Sequence, residues 1–529
     1  MGLVLFFQLG SWGVTESSEA RYAEIAREMY LSKDIVQPTL LKIFHYHKPP
    51  FTYAITALSY SIFGINAFAA RFFLVVFFLI QVFAIKRLSE LLFPKKQNIG
   101  LVSILIFCSL PLSILGVRNL TTDTYLSTFS ILSILAWVQY RQKDTKFDFY
   151  IFYLLMALGF LTKGPVIFLP TLPFILIYNF SYPSDKKFSL QHILGPLLFL
   201  ILGFSWYIAA IFNKPELFDY FLGTQTIDRV ATKKFNRSEP FWYYLLTGTL
   251  TMLPWSLIYI LKAKGITKIK KGSSLALSLG FLISLFIYSL VSSKLILYLQ
   301  PLSVFISIYL ANVLLSTSEK NAELIKKFVL IFSMLAMVII SIAIWQFGDR
   351  INIQFKNYFF VVPLLSLIAI IFIYRSSEKL QILTAPLITF VTLSAVILLS
   401  TFVFNNNQIT INSFYEVAEF IDEQNLHDNE ILVYNKLLPS LEFHLNRDLR
   451  FIVDGSYSYK REVQFQNNDK WREYWLYTNN GNDQRSIEEY QNNGSILFSR
   501  RQKEPTDLYL QLVAKYPSNK VFGKYILYY

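Results

Sequence analysis

Residues 67–87 read AFAARFFLVVFFLIQVFAIKR, an almost unbroken apolar run over 67–85 closed by Lys86 and Arg87. An apolar stretch of about 20 residues is the length of helix that crosses roughly 30 Å of hydrocarbon. A basic pair at its end marks a cytoplasmic flank. The same pattern recurs near 1–14, 99–117, 124–140, 149–162, 165–180, 191–213, 241–261, 275–292, 296–315, 328–347, 358–374 and 381–404. The expected fold is therefore a mainly α, polytopic membrane protein with about 13 transmembrane helices. Composition agrees: of 529 residues 54% are hydrophobic and only 16% charged, and the mean hydropathy is +0.41. Such a chain is neither disordered nor an ordinary soluble enzyme. In a membrane chain the net charge of +14 belongs to cytoplasmic loops and lipid phosphates rather than to nucleic acid. The single cysteine, Cys108, lies inside an apolar run. No internal disulfide can form, and a thiolate zinc site is not expected.

Alternate connections are basic: Lys86, Arg87, Lys95 and Lys96; Arg141, Lys143 and Lys146; Lys186 and Lys187; Lys262 to Lys271; Lys320, Lys326 and Lys327; Arg375 and Lys379. With thirteen spans these all fall on one side, the cytoplasmic one. The loops 15–66 and 214–240 and everything after 404 then face outward. The first span, at 14 residues, reaches only about 21 Å, so a start upstream is expected, and nothing in it reads as a cleaved signal. After Phe404 the chain turns polar, with helical spacing over Phe414, Val417, Ala418, Phe420 and Ile421 and short strands such as 431–434 and 451–453. Residues 1–404 thus form a transmembrane domain, and 405–529 a small α/β domain outside the cytoplasm. The smaller domain, without a metal cluster or Gly-rich loop, is expected to act as a stabilising or substrate-guiding cap.

The outer loops are too rich in charge to be mere connectors. In 15–29, Tyr22, Ile25, Ala26 and Met29 form one apolar stripe on a charged helix, which suits an interfacial helix with solvated charges. Glu16, Glu19 and Arg21 crowd at its start, and capping explains only one of the two carboxylates. In His45-Tyr46-His47-Lys48-Pro49-Pro50 the prolines hold Lys48 in place, and a fixed outer ammonium suits a phosphate. His45 and His47 could join a divalent metal site, but no third ligand is evident and hydrogen bonding fits them better.

Asp123 stands at the mouth of an apolar helix, where an acid is costly and functional by default. Lys163 and Lys294 occupy very short outer turns, and Arg118 precedes Asp123. One such cation could be snorkelling. Lys48, Arg118, Lys163 and Lys294 on one face suggest a basic cavity for a lipid-linked phosphate, to which Arg21 of the first loop and Arg237 in the aromatic loop 233–244, a bidentate fork, are expected to add.

These residues carry a resemblance. Glu19-Ala20-Arg21-Tyr22-Ala23-Glu24-Ile25-Ala26-Arg27-Glu28-Met29, Lys48-Pro49-Pro50, Asp123, Leu161-Thr162-Lys163-Gly164-Pro165, Pro240-Phe241-Trp242-Tyr243-Tyr244 and Ser293-Lys294…Tyr298 occur in family order. Together they resemble the membrane glycosyltransferases (GT-C type) that include protein O-mannosyltransferases and the lipid A aminoarabinose transferase, well over about 1–315. The resemblance implies an inner (plasma) membrane enzyme with many helices and an outer soluble domain. It would transfer a hexose or pentose from a polyprenyl-phosphate donor to a lipid, glycan or protein acceptor, with inversion. It also implies that Lys48 binds the donor phosphate, assisted by Lys294 and Tyr298. The family has an Asp directly before the first-loop Glu, and here that position is Ser18. A serine cannot be a carboxylate base, so either Glu16, Glu19 or Asp123 holds that role or the chemistry is impaired. The chemistry needs a carboxylate for the acceptor hydroxyl and cations for the leaving phosphate, and no obligatory metal. A lipid-linked sugar carrier or flippase is the competing reading. It would show paired broken helices around a midplane site, and no inverted repeat is present.

Overall fold

The computed structural model describes residues 1–184, 188–227, 239–263, 272–349, 359–455 and 463–529. Long apolar segments become helices because only a helix satisfies every backbone group within one segment when water is absent. Among the described residues, seven helical runs are long and apolar enough to cross a membrane: Ala67–Leu92, Lys146–Ser181, Gln191–Asn213, Ser273–Leu290, Ile296–Leu314, Glu319–Phe347 and Thr384–Asn405. The pair Tyr243–Thr251 and Trp255–Leu261, bent by 118°, would make an eighth. Thirteen full spans are thus not what the described residues show.

The differences have local causes. The expected span at 1–14 is helical only over Gly2–Phe6. That at 99–117 breaks into Ile99–Cys108 and Pro111–Leu115, because Pro111 brings no N–H and suits a first helical turn. The one at 124–140 forms a 21-residue helix, Asp123–Lys143, but its buried face carries Thr124, Ser127, Thr128, Ser130 and Ser133, too polar for a plain span. The 358–374 span is a shorter helix, Val361–Arg375.

The run Lys146–Ser181 doubles back. Lys163, ending its first half, pairs with Asp123 at the start of the Asp123–Lys143 helix. Asn179 and Tyr178, in its second half, accept hydrogen bonds from Trp137 and Gln142 near that helix's other end. The reversal is made at the 3-10 turn Gly164–Ile167, where Gly164 has φ +67°, a conformation only glycine adopts without cost. The separate expectations at 149–162 and 165–180 describe this hairpin.

Two compact units divide the chain: 1–8, 47–52 and 72–403 form one, and 9–46, 53–71 and 404–529 the other. In the first, polar side chains join helices where no hydrophobic force can. Gln81 donates to Thr124 O and Thr128 Oγ1, and Gln300 to Ser113 O and Thr124 Oγ1, which fixes the start of the Asp123–Lys143 helix. Phe51 packs edge-on against Tyr125 and Phe129 beside it.

The second unit contains the Ser18–Ser32 helix, a hairpin of β1 (Thr39–Leu40) and β2 (Ile43–Phe44), and a six-stranded sheet. The sheet strands are β3 (Ile431–Tyr434), β4 (Arg450–Val453), β5 (Trp475–Tyr477), β6 (Ile496–Arg500), β7 (Asn519–Phe522) and β8 (Tyr525–Tyr528), in the order β5-β4-β3-β6-β8-β7. The first four in that order are parallel, and β8 and β7 add antiparallel. Leu432, Ile452, Leu476 and Leu497 fill one core beneath it. The Ser18–Ser32 helix does not lie with its charges in solvent. Glu24, Arg27 and Glu28 are as buried as Ile25 and Ala26.

Candidate functional site

In the first unit the chemistry gathers around Asp123. It opens its helix, where the helix dipole favours a carboxylate, and Lys163 closes the Lys146–Lys163 helix, where the dipole favours a cation. Each is only 5% and 7% exposed, and they form an ion pair. The Lys163 Nζ stands 4.1 Å from the centre of the Tyr298 ring, a cation–π contact. The Tyr288 hydroxyl is buried without a hydrogen-bond partner among the described residues and shares the electrostatic surroundings of Asp123. Lys294 is buried and donates to Glu239 O at 2.8 Å. Burial holds its ammonium below the usual lysine range. The segment bearing it is held by Tyr244, whose hydroxyl donates to Leu295 O and accepts from Leu295 N.

The remaining candidates of this unit differ in setting. Lys48 is half-buried in the segment 47–52. Arg118 donates to Phe7 O and to Thr401 Oγ1, so its fork already ties two segments together. Arg237 lies outside the described residues. The His47 ring packs 6.2 Å from that of Tyr220.

In the second unit the first-loop acids part company. Glu19 is 1% exposed, and both its oxygens are taken. Arg71 Nε donates to Oε1 at 2.7 Å, Arg71 Nη2 to Oε2 at 2.9 Å, and Thr15 N and Oγ1 also donate to Oε2. Arg71 sends its other donors to Leu9 O, Trp12 O and Gly13 O, which uses the whole guanidinium. Glu16 instead faces a cavity of about 760 Å³ that Arg21 also lines. It accepts a 2.7 Å bond from Ser440 N, and burial pushes its carboxyl up to about 8.

Among the described residues neither His45 nor His47 belongs to a group of three side chains that could share a metal. The group that could hold a metal is Glu24, Glu28 and Glu442, whose oxygens lie within 4.8 Å of one another. Arg27 occupies it already, paired with Glu24, Glu442 and Asp448. His444, its imidazole driven down to about 3 by burial, accepts from Val14 N. Gly13 passes so close that a Cβ there would stand 2.5 Å from His444 Nε2. Sequence reading missed Arg71, Tyr288 and Glu442. A lone cation in the 67–85 run was the available signal for Arg71. Tyr288 and Glu442 had none, since one sits in an apolar run and the other in a polar domain.

The dolichyl-phosphate-mannose-protein mannosyltransferase family matches residues 47–208. An uncharacterized protein of Aquifex aeolicus is 26% identical over 72% of this chain and 73% of its own length. The undecaprenyl phosphate-alpha-4-amino-4-deoxy-L-arabinose arabinosyl transferase 1 of Proteus mirabilis is 28% identical over 61% of this chain and 60% of its own. The chain thus spans less than two thirds of the named arabinosyl transferases it matches. ArnT from Cupriavidus metallidurans bound to undecaprenyl phosphate superposes with a TM-score of 0.79 at 18% identity, covering 99% of this chain and 96% of that one. The resemblance carried by the motifs is therefore found by independent routes, and the fold is that of this transferase.

Proposed function

From this likeness we propose that the chain is an integral membrane glycosyltransferase moving a sugar from a polyprenyl-phosphate donor to an acceptor on the outer face of a bacterial-type plasma membrane. What carries the reading is the buried Asp123–Lys163 pair under the Tyr298 ring. Two ionised groups at the end of a membrane helix are costly to keep and bring little stability over apolar packing. Their presence there points to chemistry. The likeness to arabinosyl transferases favours a lipid acceptor, with glycan and protein as alternatives, and a pentose or hexose as the sugar.

In the proposed reaction an acceptor oxygen attacks the anomeric carbon as the bond from that carbon to the polyprenyl phosphate breaks. The acceptor's proton passes to a carboxylate, and the phosphate leaves with the bonding electrons. Asp123 is the best placed base. In the resting site its charge is met by Lys163. A donor phosphate offers Lys163 a second anion, and a shift of the ammonium toward it releases Asp123 to take the proton. Lys48, Lys294 and Tyr298 supply further countercharge and donors to the leaving phosphate. Glu19, saturated by Arg71, would have to break its ion pair to act. No step needs a metal.

The test is turnover of a polyprenyl-phosphate sugar by purified full-length protein without a gradient, for wild type, Asp123→Asn and Lys48→Ala. Loss of one such donor or base costs about 2.7–4 kcal/mol of transition-state stabilisation, or about 10²–10³ in rate. Near-normal turnover in both variants would refute the assignment. Movement of intact donor across a bilayer without cleavage would make the protein a carrier.

A further inference from the structure

The small sheet has its topological switch between β3 and β6. They lie side by side and parallel, Tyr434 opposite Ser499. The chain leaving β3 goes to β4 on one side, whereas that leaving β6 goes to the β7–β8 pair on the other. Connections that part in this way leave a crevice outside the carboxyl ends of the strands, where open α/β sheets take ligands. The 760 Å³ cavity is lined from those ends, by Asn435 and Lys436 after β3, Arg500 at the end of β6 and Lys524 ahead of β8, with Glu16 and Arg21 completing the wall.

Cations without a carboxylate partner among the described residues also stand singly elsewhere on the unit, as Lys470, Arg485 and Lys515 do, but here four of them line one hollow. Arg27, Arg71, Lys42 and Arg450 each pair with a carboxylate. Among the described residues, the side chains of Arg21, Lys436, Arg500 and Lys524 make no ion pair and donate no hydrogen bond. Four unpaired cations around one hollow repel one another unless an anion enters. A single carboxylate would leave most of that charge unmet, whereas a phosphate carries up to two charges and matches the arginine fork. Glu16 offers little opposition, since its raised carboxyl is mostly uncharged at neutral pH.

We propose that this cavity is a binding site for a phosphate-class polyanion, borne on a headgroup or free in solution, so that the small domain is a ligand-binding element rather than only a cap. The proposal does not depend on the transferase reading, because binding is measured without donor or turnover.

The experiment is calorimetric titration of the full chain in detergent with pyrophosphate, and separately with short-chain phosphatidic acid against short-chain phosphatidylcholine. The variants are Lys436→Gln, Arg500→Gln and Lys524→Gln, singly and together, with Lys515→Gln, outside the cavity lining, as the control for loss of one exposed charge. The three side chains are exposed and make no internal polar contact, so folding is retained and is verified by circular dichroism. Each single change weakens binding about two- to fivefold, and the triple change by more than about tenfold. Pyrophosphate binding lost in the triple variant supports a site for the free group. Binding of phosphatidic acid alone, lost in the same variant, supports a headgroup site. Binding of neither probe, or a triple variant equal to Lys515→Gln, overturns the proposal.

Discussion

Arg71 and Glu19 show how much one side chain can be asked to hold. The guanidinium is fully buried, lies 4.4 Å from the centre of the Trp12 ring, and gathers three backbone carbonyls with one carboxylate. Glu19→Gln would leave that cation without its counterion, a loss of about 3–5 kcal/mol for a buried pair broken on one side. The expected outcome is a lowered unfolding midpoint in urea and reduced yield. Asp123→Asn also breaks a buried pair on one side and should lose stability as well, but unlike Glu19→Gln it should abolish turnover per folded molecule. Denaturation curves of the two variants beside their donor turnover separate the roles. A stable, inactive Glu19→Gln would return the base to the first loop. Asp123 and Lys163 were legible as costly charges near apolar runs, because hydrocarbon makes every charge informative. Glu19 was legible as significant but not as structural, since its partner Arg71 lies 52 positions away.

At the scale of elements, the Ser18–Ser32 helix buries charge on a face that its apolar period does not reveal. Glu28 is pushed by burial, and then by Glu24, up to about 7, and Glu442 is raised as well. Asp448, despite burial, is held below its usual range by Lys42 and Arg27. The folded form therefore keeps a proton on Glu28 that the unfolded chain gives up near pH 4.5. Between about pH 4.5 and 7 the stability that Glu28 contributes falls as pH rises and is gone above about pH 7. Glu16 acts in the same sense up to about 8, and His444 in the opposite sense between about 3 and 6.5. Asp448 too acts in the opposite sense, but below the Glu28 window. Glu28→Gln should flatten the decline and gain about 1–3 kcal/mol over wild type at pH 8. Chemical denaturation at pH 5.5, 7 and 8 checks this, and parallel curves for the two proteins would contradict it. The β1–β2 hairpin escaped the sequence for a related reason. Its turn is Leu41-Lys42, both at positive φ, with none of the Asn or Gly that normally signals such a turn. Tertiary bonds hold it instead, from Trp475 Nε1 to Leu41 O and from Lys42 N to Glu28 Oε1.

For the whole molecule, composition marks a change at Phe404, but the compact unit that includes 404–529 also takes in 9–46 and 53–71. A segment read by its own composition cannot show which distant segment completes its core. Gly13 fits against Ser413, Tyr415 and His444, and Ser440 is bonded by Val14 and Glu16. Residues 404–529 expressed alone should therefore lack a cooperative unfolding transition, whereas the full chain has one. A sharp transition in the isolated fragment, followed by circular dichroism, would show that the early segments are dispensable. More than three hundred residues separate Arg71 from Phe404. At about 5–20 residues per second of synthesis, the early segments wait roughly 20–70 s for the strands that complete their unit. Through that interval Glu24, Arg27 and Glu28 have no Glu442 or Asp448 to meet. Biogenesis thus holds a long period in which the unfinished unit is open to chaperones and proteases, and a ribosome stalled within the membrane spans would leave it permanently unclosed.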